Sequence, residues 1–582
     1  MEIKNISELL ASNGLANPNL NVLIPDANNY SVLLMQPHGD IKASESGVFN
    51  QDASFANLQF GEFLRKAKLL EADLVATPEY SMPWATLIQE IASGTTPVDG
   101  KIWALGCESI LVSQLDDVTK ILGDHTKIIY EQLPSNSNKF VDPLAYIFQT
   151  NSLEDPDYRV LTITVQFKTH AMSEPDHFEV NGMERGKNIY KFSNSGQSNH
   201  LVSLICSDVL AFQDNHALEI HEKALILNLQ LNRDPRHSLF LQCRERLLRY
   251  SNVNTEIICL NWASDVRMII EGHEDQWNNI AGSAWYIQSE TFDDRDRTLC
   301  KNHKKGLYYT WNSYFHSHVL FLNYLKAIFF LTSTKVEHSG VVAPFPRRRG
   351  PQLNKTFTWS QLTEQWEEQD SLEDGFSSIA PQSGNASHDI ESLSNDNPLN
   401  VERLVALTTG DIDQLKWHNV KKLKSCTIEH NEVIKRITYA QDTNHAARSY
   451  RNKKLKRSGR LYTLLLNEEN LPVQLKDLKN GFSLNWERLH PHQNINSTTD
   501  ERATAIYMGE ETNADEVEAV YKRVLENLKR SIVDEDDLIA ASQRVAVWYR
   551  NEDDEVICFF SNRIKRYDKV EGKSEFDIGR NE

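Results

Sequence analysis

Short apolar runs with the character of buried strands alternate with amphipathic helices along the first half of the chain. The pattern begins with an apolar run over Tyr30–Gln36, apolar positions at helical spacing over Phe55–Glu71, and a second apolar run over Ala72–Ala76. Such alternation predicts a layered α/β domain, because each element buries an apolar face against its neighbours. We expect this domain to span residues 29–335, after an irregular lead-in over residues 1–28.

The composition changes after this region. Residues 336–400 contain a stretch from Trp366 to Asn397 that is rich in Glu, Asp, Ser and Asn and poor in apolar residues. It predicts a linker with a disordered segment, and a long surface insertion is the alternative. Residues 401–582 mix helical and strand patterns, including a strand over Leu461–Leu466, and predict a separate α+β domain of unknown role.

Charge and cysteine content exclude several classes of protein. The formal net charge of −19 argues against broad nonspecific binding to nucleic acid or to anionic membranes. No apolar run is long enough to span a bilayer, and the first residues lack the basic start and apolar stretch of a secretory signal. The seven cysteines form no CxxC pair, so neither a disulfide framework nor a zinc knuckle is indicated. We expect a cytoplasmic protein that needs no metal or other cofactor.

Three reactive side chains each come at the end of a strand-like run. Glu79 comes shortly after Ala72–Ala76, Lys168 directly follows an apolar run that ends at Phe167, and Cys206 ends another run. Ligand sites in open α/β sheets commonly lie at the carboxyl ends of strands. A base, a cation and a sulfur nucleophile are the groups needed to attack a carbonyl or nitrile carbon bonded to nitrogen.

The order Glu79, Lys168, Cys206 resembles the nitrilase (carbon–nitrogen hydrolase) superfamily, and the resemblance covers about residues 28 to 335. Further matches are an arginine-containing helix that includes Arg244, a strand that ends at Asn261, and the GxS element Gly282-Ser283-Ala284. The chain departs from the family pattern after the cysteine, where serine replaces the usual aromatic residue. The family's Glu-Asn pair after the arginine helix is matched only in part.

The resemblance implies a four-layer α–β–β–α domain and a thiol hydrolase that cleaves a non-peptide carbon–nitrogen bond. An amide is favoured over a nitrile as the small-molecule substrate. By resemblance, Glu79 is the base, Lys168 stabilises the tetrahedral oxyanion, and Cys206 forms the acyl intermediate. Acyl transfer to an amine in place of water would use the same residues. The resemblance also implies a homo-oligomer.

Many family members have a second glutamate between the lysine and the cysteine. Three candidates are present, and Glu179 has the best spacing to the Gly186 that opens the next strand. Glu184 is the second choice and Glu174 the third.

The substrate pocket is expected to include the residues just after the nucleophile, Ser207 and Asp208. The loop that carries Arg233 and Arg236 should border it as well. Either arginine could bind a substrate carboxylate or phosphate, and a surface salt bridge is an equally good reading of both.

A basic run over Arg448–Arg460 stands out in the acidic C-terminal third. It indicates either docking to nucleic acid or to an acidic protein, or a solvated segment paired with the acidic residues Asp534–Asp537 and Glu552–Glu555. The second interpretation is favoured.

A function of a different class is the alternative for the whole chain. The resemblance also allows a regulatory or assembly protein, of the kind found in bacterial antiviral defence, with auxiliary or lost catalysis. Residues 401–582 would then bind a protein partner.

Overall fold

A computed structural model describes the chain except for residues 25–28, 124–125, 135–136, 173–176, 195, 197–198, 221–222, 234–237, 251–254, 265, 278–281, 289–295, 313–316, 334–350, 413–436, 442–444, 511, 552 and 560–582. The described residues form an N-terminal unit, Met1–Leu372, and a C-terminal unit that begins at Glu373. No helix in the described part of the chain is long and apolar enough to cross a membrane.

The N-terminal unit alternates strands and helices, as the sequence pattern predicts. Its strands are β1 (Glu2–Asn5), β2 (Tyr30–Gln36), β3 (Asp40–Ser44), β4 (Gly47–Asn50), β5 (Leu74–Met82), β6 (Ile102–Cys107), β7 (Ile110–Leu111), β8 (Thr126–Tyr130), β9 (Phe140–Val141), β10 (Pro143–Asn151), β11 (Arg159–Phe167), β12 (Asn188–Ser193), β13 (His200–Ile205), β14 (Ala224–Leu229), β15 (Glu256–Leu260), β16 (Arg267–Ile270), β17 (His273–Gln276), β18 (Ala284–Gln288), β19 (Leu307–Asn312), β20 (Ser317–Leu322), β21 (Ala327–Ser333), β22 (Gln352–Ser360) and β23 (Gln365–Gln369). Its helices are α1 (Ile6–Ser12), α2 (Ala53–Leu70), α3 (Trp84–Ala92), α4 (Val112–Leu122), α5 (Phe178–Gly182), α6 (Asp214–Ile220), α7 (Ser238–Tyr250) and α8 (Asp296–Lys305).

Nine strands form the larger sheet, in the order β23-β22-β21-β2-β5-β6-β10-β11-β8. β5 and β11 point the same way, because β6 is parallel to β5 while β10 is antiparallel to both β6 and β11. Helices α2, α3 and α4 pack on this sheet through buried residues such as Phe63, Leu87 and Leu115. The carboxyl ends of β5 and β11 therefore reach the same edge of the sheet.

Eight strands form the second sheet, in the order β1-β12-β13-β14-β15-β18-β20-β19. Its centre is three parallel strands, β13, β14 and β15. β14 and β15 both contact β5 of the larger sheet. The two sheets thus meet at β5, the strand that carries Glu79. Smaller sheets, β17-β16-β3-β4 and β7-β9, complete the unit.

The structure differs from the expected boundaries at both ends of the N-terminal unit. Residues 1–28 are not an irregular lead-in throughout, because β1 pairs in parallel with β12 and α1 buries Ile6 and Leu10. Within 336–400, β22 and β23 extend the nine-stranded sheet, and the buried Trp366 indole donates a hydrogen bond to the Gln59 carbonyl. The acidic residues of this segment, such as Glu367 and Glu368, lie on exposed faces of ordered elements. Residues 334–350 lie outside the described part.

The C-terminal unit combines helices with one five-stranded sheet, in the order β24-β25-β26-β27-β28. Residues 376–396, expected to be disordered, form its first helices and bury Phe376, Ala380 and Ile390 in the core. The elements are α9 (Phe376–Ile379), α10 (Ser387–Asp396), α11 (Pro398–Thr408), α12 (His445–Leu466), α13 (Ala514–Ser531), α14 (Glu535–Gln543), β24 (Phe482–Leu484), β25 (Ile495–Ser497), β26 (Arg502–Tyr507), β27 (Val545–Arg550) and β28 (Val556–Cys558), with 3-10 turns at Ala380–Ala386, Glu468–Asn470 and Val473–Asn480.

Candidate active site

Glu79 lies within β5, whose nine residues are all buried. The next residue, Tyr80, has a φ of +56°, a left-handed conformation that costs energy for a residue with a side chain. Gly106 on the neighbouring β6 permits this path, because a Cβ at that position would lie 2.2 Å from the Pro78 carbonyl oxygen. The strained turn directs the Glu79 carboxylate into the buried site.

Lys168 follows β11 and is the only buried ammonium that the described residues place at this site. Its Nζ lies 2.7 Å from Glu79 Oε1 and 2.7 Å from Glu179 Oε1. The lysine and both glutamates are buried. A buried charge is tolerated when it is paired and hydrogen-bonded, and two carboxylates provide that here.

Glu179 lies on the short helix α5 and receives more hydrogen bonds than Lys168 alone supplies. The Tyr80 hydroxyl donates to its Oε1 at 3.0 Å, and the Met172 backbone N–H donates to its Oε2 at 2.9 Å. Burial raises the pKa of Glu179, but the Lys168 ammonium, the nearby His177 and the Met172 backbone N–H together outweigh burial and hold the pKa below its ordinary value. Glu179 is therefore a fixed negative charge that orients Lys168.

Cys206 follows β13 and begins the 3-10 helix Cys206–Leu210. Its φ of +36° is again in the left-handed region, so the backbone is strained at the sulfur-bearing residue. Burial raises the pKa of the thiol well above its ordinary value, and the neighbouring Glu79 charge contributes in the same direction. The resting site thus favours a protonated thiol close to the Glu79 carboxylate.

Glu79 itself has the properties of a base. Burial raises its pKa, and the Lys168 ammonium partly opposes that shift. A carboxylate with a raised pKa accepts a proton more readily near neutral pH. The Leu231 backbone N–H donates to Glu79 Oε2 at 2.6 Å, so the second oxygen is also held in place.

Asp142 is a third buried carboxyl group at this site, and the sequence reasoning missed it. Its Oδ2 lies 3.6 Å from Lys168 Nζ, and its backbone carbonyl accepts a hydrogen bond from the Lys168 backbone N–H at 2.9 Å. Burial and the neighbouring Glu79 charge raise its pKa well above the ordinary value, which favours the neutral carboxyl group, and neither of its side-chain oxygens has a hydrogen-bond partner among the described residues. Asp142 precedes β10, which runs opposite to β5 and β11, and its placement follows from that reversal.

A metal ion is poorly suited to this cluster. Oxygen atoms of Glu79, Asp142 and Glu179 lie within 4.8 Å of one another, a spacing that a cation could bridge. The Lys168 ammonium already lies between Glu79 and Glu179 and supplies the positive charge. The side chains present therefore fit a lysine-centred site.

Ser207 and Asp208, expected to bind substrate, directly follow Cys206 and are both buried. Asp208 Oδ1 accepts hydrogen bonds from the Thr169 backbone N–H at 2.7 Å and the His170 backbone N–H at 3.1 Å. The Ser207 hydroxyl donates to the His170 carbonyl oxygen at 2.5 Å. Both side chains connect the turn after Cys206 to the segment after Lys168, and their part in substrate binding stays a prediction.

The later elements of the resemblance hold Glu79 in place through backbone contacts. The Ser283 hydroxyl accepts a hydrogen bond from the Asn261 backbone N–H at 2.9 Å, and the Asn261 amide donates to the Asn232 carbonyl at 2.7 Å. Asn232 directly follows Leu231, whose N–H contacts Glu79. The indole of Trp262 also donates to the Glu79 carbonyl, at 2.9 Å. These residues therefore position the carboxylate through the backbone.

The remaining candidates lie elsewhere. The exposed Arg233 pairs with Asp275 at 2.9 Å, as a surface salt bridge would, and Arg236 lies outside the described residues. The Glu184 carboxylate accepts a hydrogen bond from Ser137 at 3.0 Å, away from Lys168. Glu174 also falls outside the described part. Of the three glutamates considered, the structure places Glu179 against Lys168.

No protein-family model matches the sequence, and no curated protein is significantly similar to it. Solved structures with similarity include a glutamine-dependent NAD+ synthetase from Acinetobacter baumannii in complex with ADP (TM-score 0.29, 11% identity, covering 65% of this chain and 56% of that one). Others are a mutant of a Nesterenkonia AN1 amidase from the nitrilase superfamily (0.26, 12%, 45% and 84%) and a glutamine-dependent NAD+ synthetase from Cytophaga hutchinsonii (0.25, 10%, 95% and 69%). The match spans little more than half of the first protein's length. At these TM-scores the activity must be inferred from the chain's own residues.

Proposed function

We propose that this protein is a thiol hydrolase of the nitrilase superfamily that cleaves a non-peptide carbon–nitrogen bond, an amide in preference to a nitrile. The observation that carries the proposal is the buried Lys168 ammonium held between Glu79 and Glu179, together with a buried Cys206 thiol whose pKa is raised by burial and by the neighbouring Glu79 charge. In the same proposal the two large sheets of the N-terminal unit are the inner layers of a four-layer α–β–β–α domain.

In the first half of the reaction, Glu79 takes the proton of the Cys206 thiol. The sulfur then attacks the amide carbon, a C–S bond forms, and the carbonyl π electrons move onto the oxygen. The Lys168 ammonium stabilises this oxyanion, and such electrostatic stabilisation is commonly the largest contribution to acyl-transfer catalysis. The C–N bond breaks as Glu79 returns the proton to the leaving nitrogen, which leaves a thioester on Cys206.

In the second half, water attacks the thioester. Glu79 accepts a proton from the water as the C–O bond forms, and Lys168 again faces the oxyanion. The C–S bond breaks, the Cys206 thiol regains a proton from Glu79, and a carboxylic acid is released. One amide and one water thus give one amine and one acid, with the enzyme unchanged.

The two other carboxyl groups set the electrostatics. Glu179 is the fixed anion that keeps Lys168 charged and oriented. The lowered pKa of Glu179 favours its ionised form. Asp142 lies 3.6 Å from the Lys168 Nζ, and its raised pKa favours the neutral form, so it lines the site without a full third negative charge. We therefore assign Glu179 and Asp142 as positioning residues, with Glu79, Lys168 and Cys206 as the catalytic residues.

Intact-mass spectrometry after incubation with a pooled library of small amides and nitriles tests the proposal. An acyl adduct is expected on the wild-type protein, and it should be absent from Cys206→Ala. Cys107→Ala, which removes another buried thiol, serves as the matched control and should retain the adduct. Absence of any adduct on the wild type would instead favour the regulatory or assembly function with lost catalysis.

A further inference from the structure

The C-terminal unit contains a cavity of about 760 Å³. This volume is within the range typical of sites for small molecules. The cavity is formed by one face of α12 together with the ends of β26 and β27 and the segment after β26, and all of its lining residues belong to the C-terminal unit. It is therefore a feature independent of the Lys168 site.

Basic side chains dominate the lining of this cavity. Its cationic residues are Arg448, Lys453, Lys456, Arg457, Arg460 and Arg550, and its one carboxylate is Glu510. The protein as a whole carries a formal charge of −19, so this concentration of positive charge runs against the composition. A concave surface lined by one sign of charge focuses the field and attracts ions of the opposite sign.

The basic run is divided between two faces of α12. Residues at helical spacing, among them Arg448, Lys453 and Arg457, face the cavity. Arg451 is instead buried, and the Lys454 ammonium pairs with Asp411 at 2.8 Å. Only part of the basic run Arg448–Arg460 therefore faces the cavity.

From the sequence, the basic run Arg448–Arg460 is expected to pair with the acidic residues Asp534–Asp537 and Glu552–Glu555. That pairing does not account for the cations that face the cavity. Within the described part of the chain, Lys456, Arg457 and Arg460 form no ion pair with a carboxylate. Of the acidic residues proposed as partners, Asp534 caps α14 and Asp554 pairs with Arg550 at 2.7 Å. The positive charges of Lys456, Arg457 and Arg460 are thus not neutralised by a carboxylate of the described residues.

Two details indicate that this surface is built to receive a polar ligand. The Nε atom of Arg550 and the Oδ1 atom of Asn452 are buried at the cavity and have no hydrogen-bond partner among the described residues. Such atoms are costly unless something satisfies them. In addition, Gly509 has a φ of +90°, and a Cβ there would lie 2.5 Å from the Arg457 Nε. Glycine therefore lets the Arg457 guanidinium lie against the backbone.

We propose that this cavity binds a small anion with several phosphate groups. Guanidinium groups match phosphate oxygens through paired hydrogen bonds, and lysine adds point charges that suit a polyanion. A single-stranded nucleic acid is less well matched, because such sites present aromatic rings on which bases stack. The rings in the lining are only His445 and Tyr507, and Tyr507 is buried.

Isothermal titration calorimetry on the full-length protein tests this proposal, with sodium tripolyphosphate as the probe and orthophosphate as the weak reference. Tripolyphosphate should bind, and K456Q/R457Q should weaken it on the order of 100-fold, because two charge-assisted contacts are lost. K529Q/R530Q, a matched adjacent pair on the exposed last turn of α13, should bind as the wild type does. G509A should also weaken binding, since it displaces Arg457.

ATP as a second probe distinguishes the source of the phosphate groups. If ATP binds more tightly than tripolyphosphate, the natural ligand is a nucleotide, and if the two bind equally, it is an inorganic phosphate chain.

Thermal unfolding of each variant without ligand checks that it folds, and R460Q, at an exposed position, replaces the double variant if that one does not fold. The proposal is overturned if the wild type fails to bind tripolyphosphate, or if K529Q/R530Q weakens binding as much as K456Q/R457Q. It is also overturned if a single-stranded oligonucleotide binds and tripolyphosphate does not displace it.

Discussion

The two units of this protein handle positive charge in opposite ways. In the N-terminal unit, one buried ammonium, Lys168, is surrounded by three carboxyl groups. In the C-terminal unit, six cationic side chains line a cavity that contains one carboxylate. The first arrangement is compensated from within the protein, which a buried charge requires. The second leaves positive charge for an anion from outside. Removing a lysine should therefore have opposite consequences in the two units.

The largest effect is expected for Lys168→Met. It leaves Glu79 and Glu179 buried without their counter-ion, so the free energy of unfolding at neutral pH should fall by about 3–5 kcal/mol. Hydrolysis should fall to background, because the oxyanion loses its cation. Urea unfolding and a turnover assay measure the two effects. Lys355→Met, which removes a half-exposed partner of Glu368, should change stability by no more than about 1 kcal/mol. Equal stability of Lys168→Met and wild type would show that the pair is not charged in the folded state.

Asp142→Asn should give the next largest effect, and one that depends on pH. The pKa of Asp142 is raised on folding, so the folded state holds this proton more tightly than the unfolded state. The stability that the proton contributes is fully present below the unfolded pKa of about 3.9 and is lost as the pH rises toward the folded pKa. Asparagine does not titrate, so the stability of the variant does not fall with rising pH for this reason.

Urea unfolding between pH 4 and pH 8 measures that difference. The free energy of unfolding of Asp142→Asn minus that of the wild type should increase as the pH rises above about 4 and level off once the pH passes the folded pKa of Asp142. Because asparagine has nearly the size and shape of a neutral aspartic acid, turnover should change little, whereas Asp142→Ala, which leaves a space beside Lys168, should lower it. A difference that stays constant with pH would show that Asp142 is ionised in the folded protein.

Ser207→Ala should have a smaller effect and decides between two roles. The hydroxyl donates to the His170 carbonyl, so its loss should lower the free energy of unfolding by about 1 kcal/mol and reduce kcat, because the segment after Lys168 loses an anchor. A substrate-binding role would instead raise KM and leave kcat intact. Ser46→Ala, which removes an exposed hydroxyl hydrogen bond, is the control and should alter neither constant.

The sequence alone predicts the parts of the site that come directly after strands. Glu79, Lys168 and Cys206 each end a buried run, and parallel strands deliver their carboxyl ends to one edge. Glu179 followed from spacing to Gly186. Asp142 could not be found in that way, because it precedes a strand that runs in the opposite direction. A search for polar residues at both ends of buried runs would have included it.

The C-terminal unit was harder to predict for a physical reason. Leu461–Leu466 was expected to be a strand, but it forms the last part of α12, where Leu461, Leu464 and Leu465 are buried. A short apolar run fits either structure, and the basic residues before it conceal the helical period. The basic run was interpreted by its charge alone, although its division between two helix faces depends on which residues pack against the core.

The smallest effect, with the opposite sign to Lys168→Met, is expected for K456Q/R457Q without ligand. These side chains face other cations across the cavity, so removing two charges should relieve repulsion and leave the unliganded protein as stable as the wild type or slightly more stable. The gain should disappear as salt is added, because salt screens the repulsion between exposed charges. Thermal unfolding in low and high salt measures it, with K529Q/R530Q as the reference for a loss of two exposed charges elsewhere. A clear loss of stability in K456Q/R457Q would mean that these cations are compensated within the protein, as Lys168 is, and would remove the contrast between the two units.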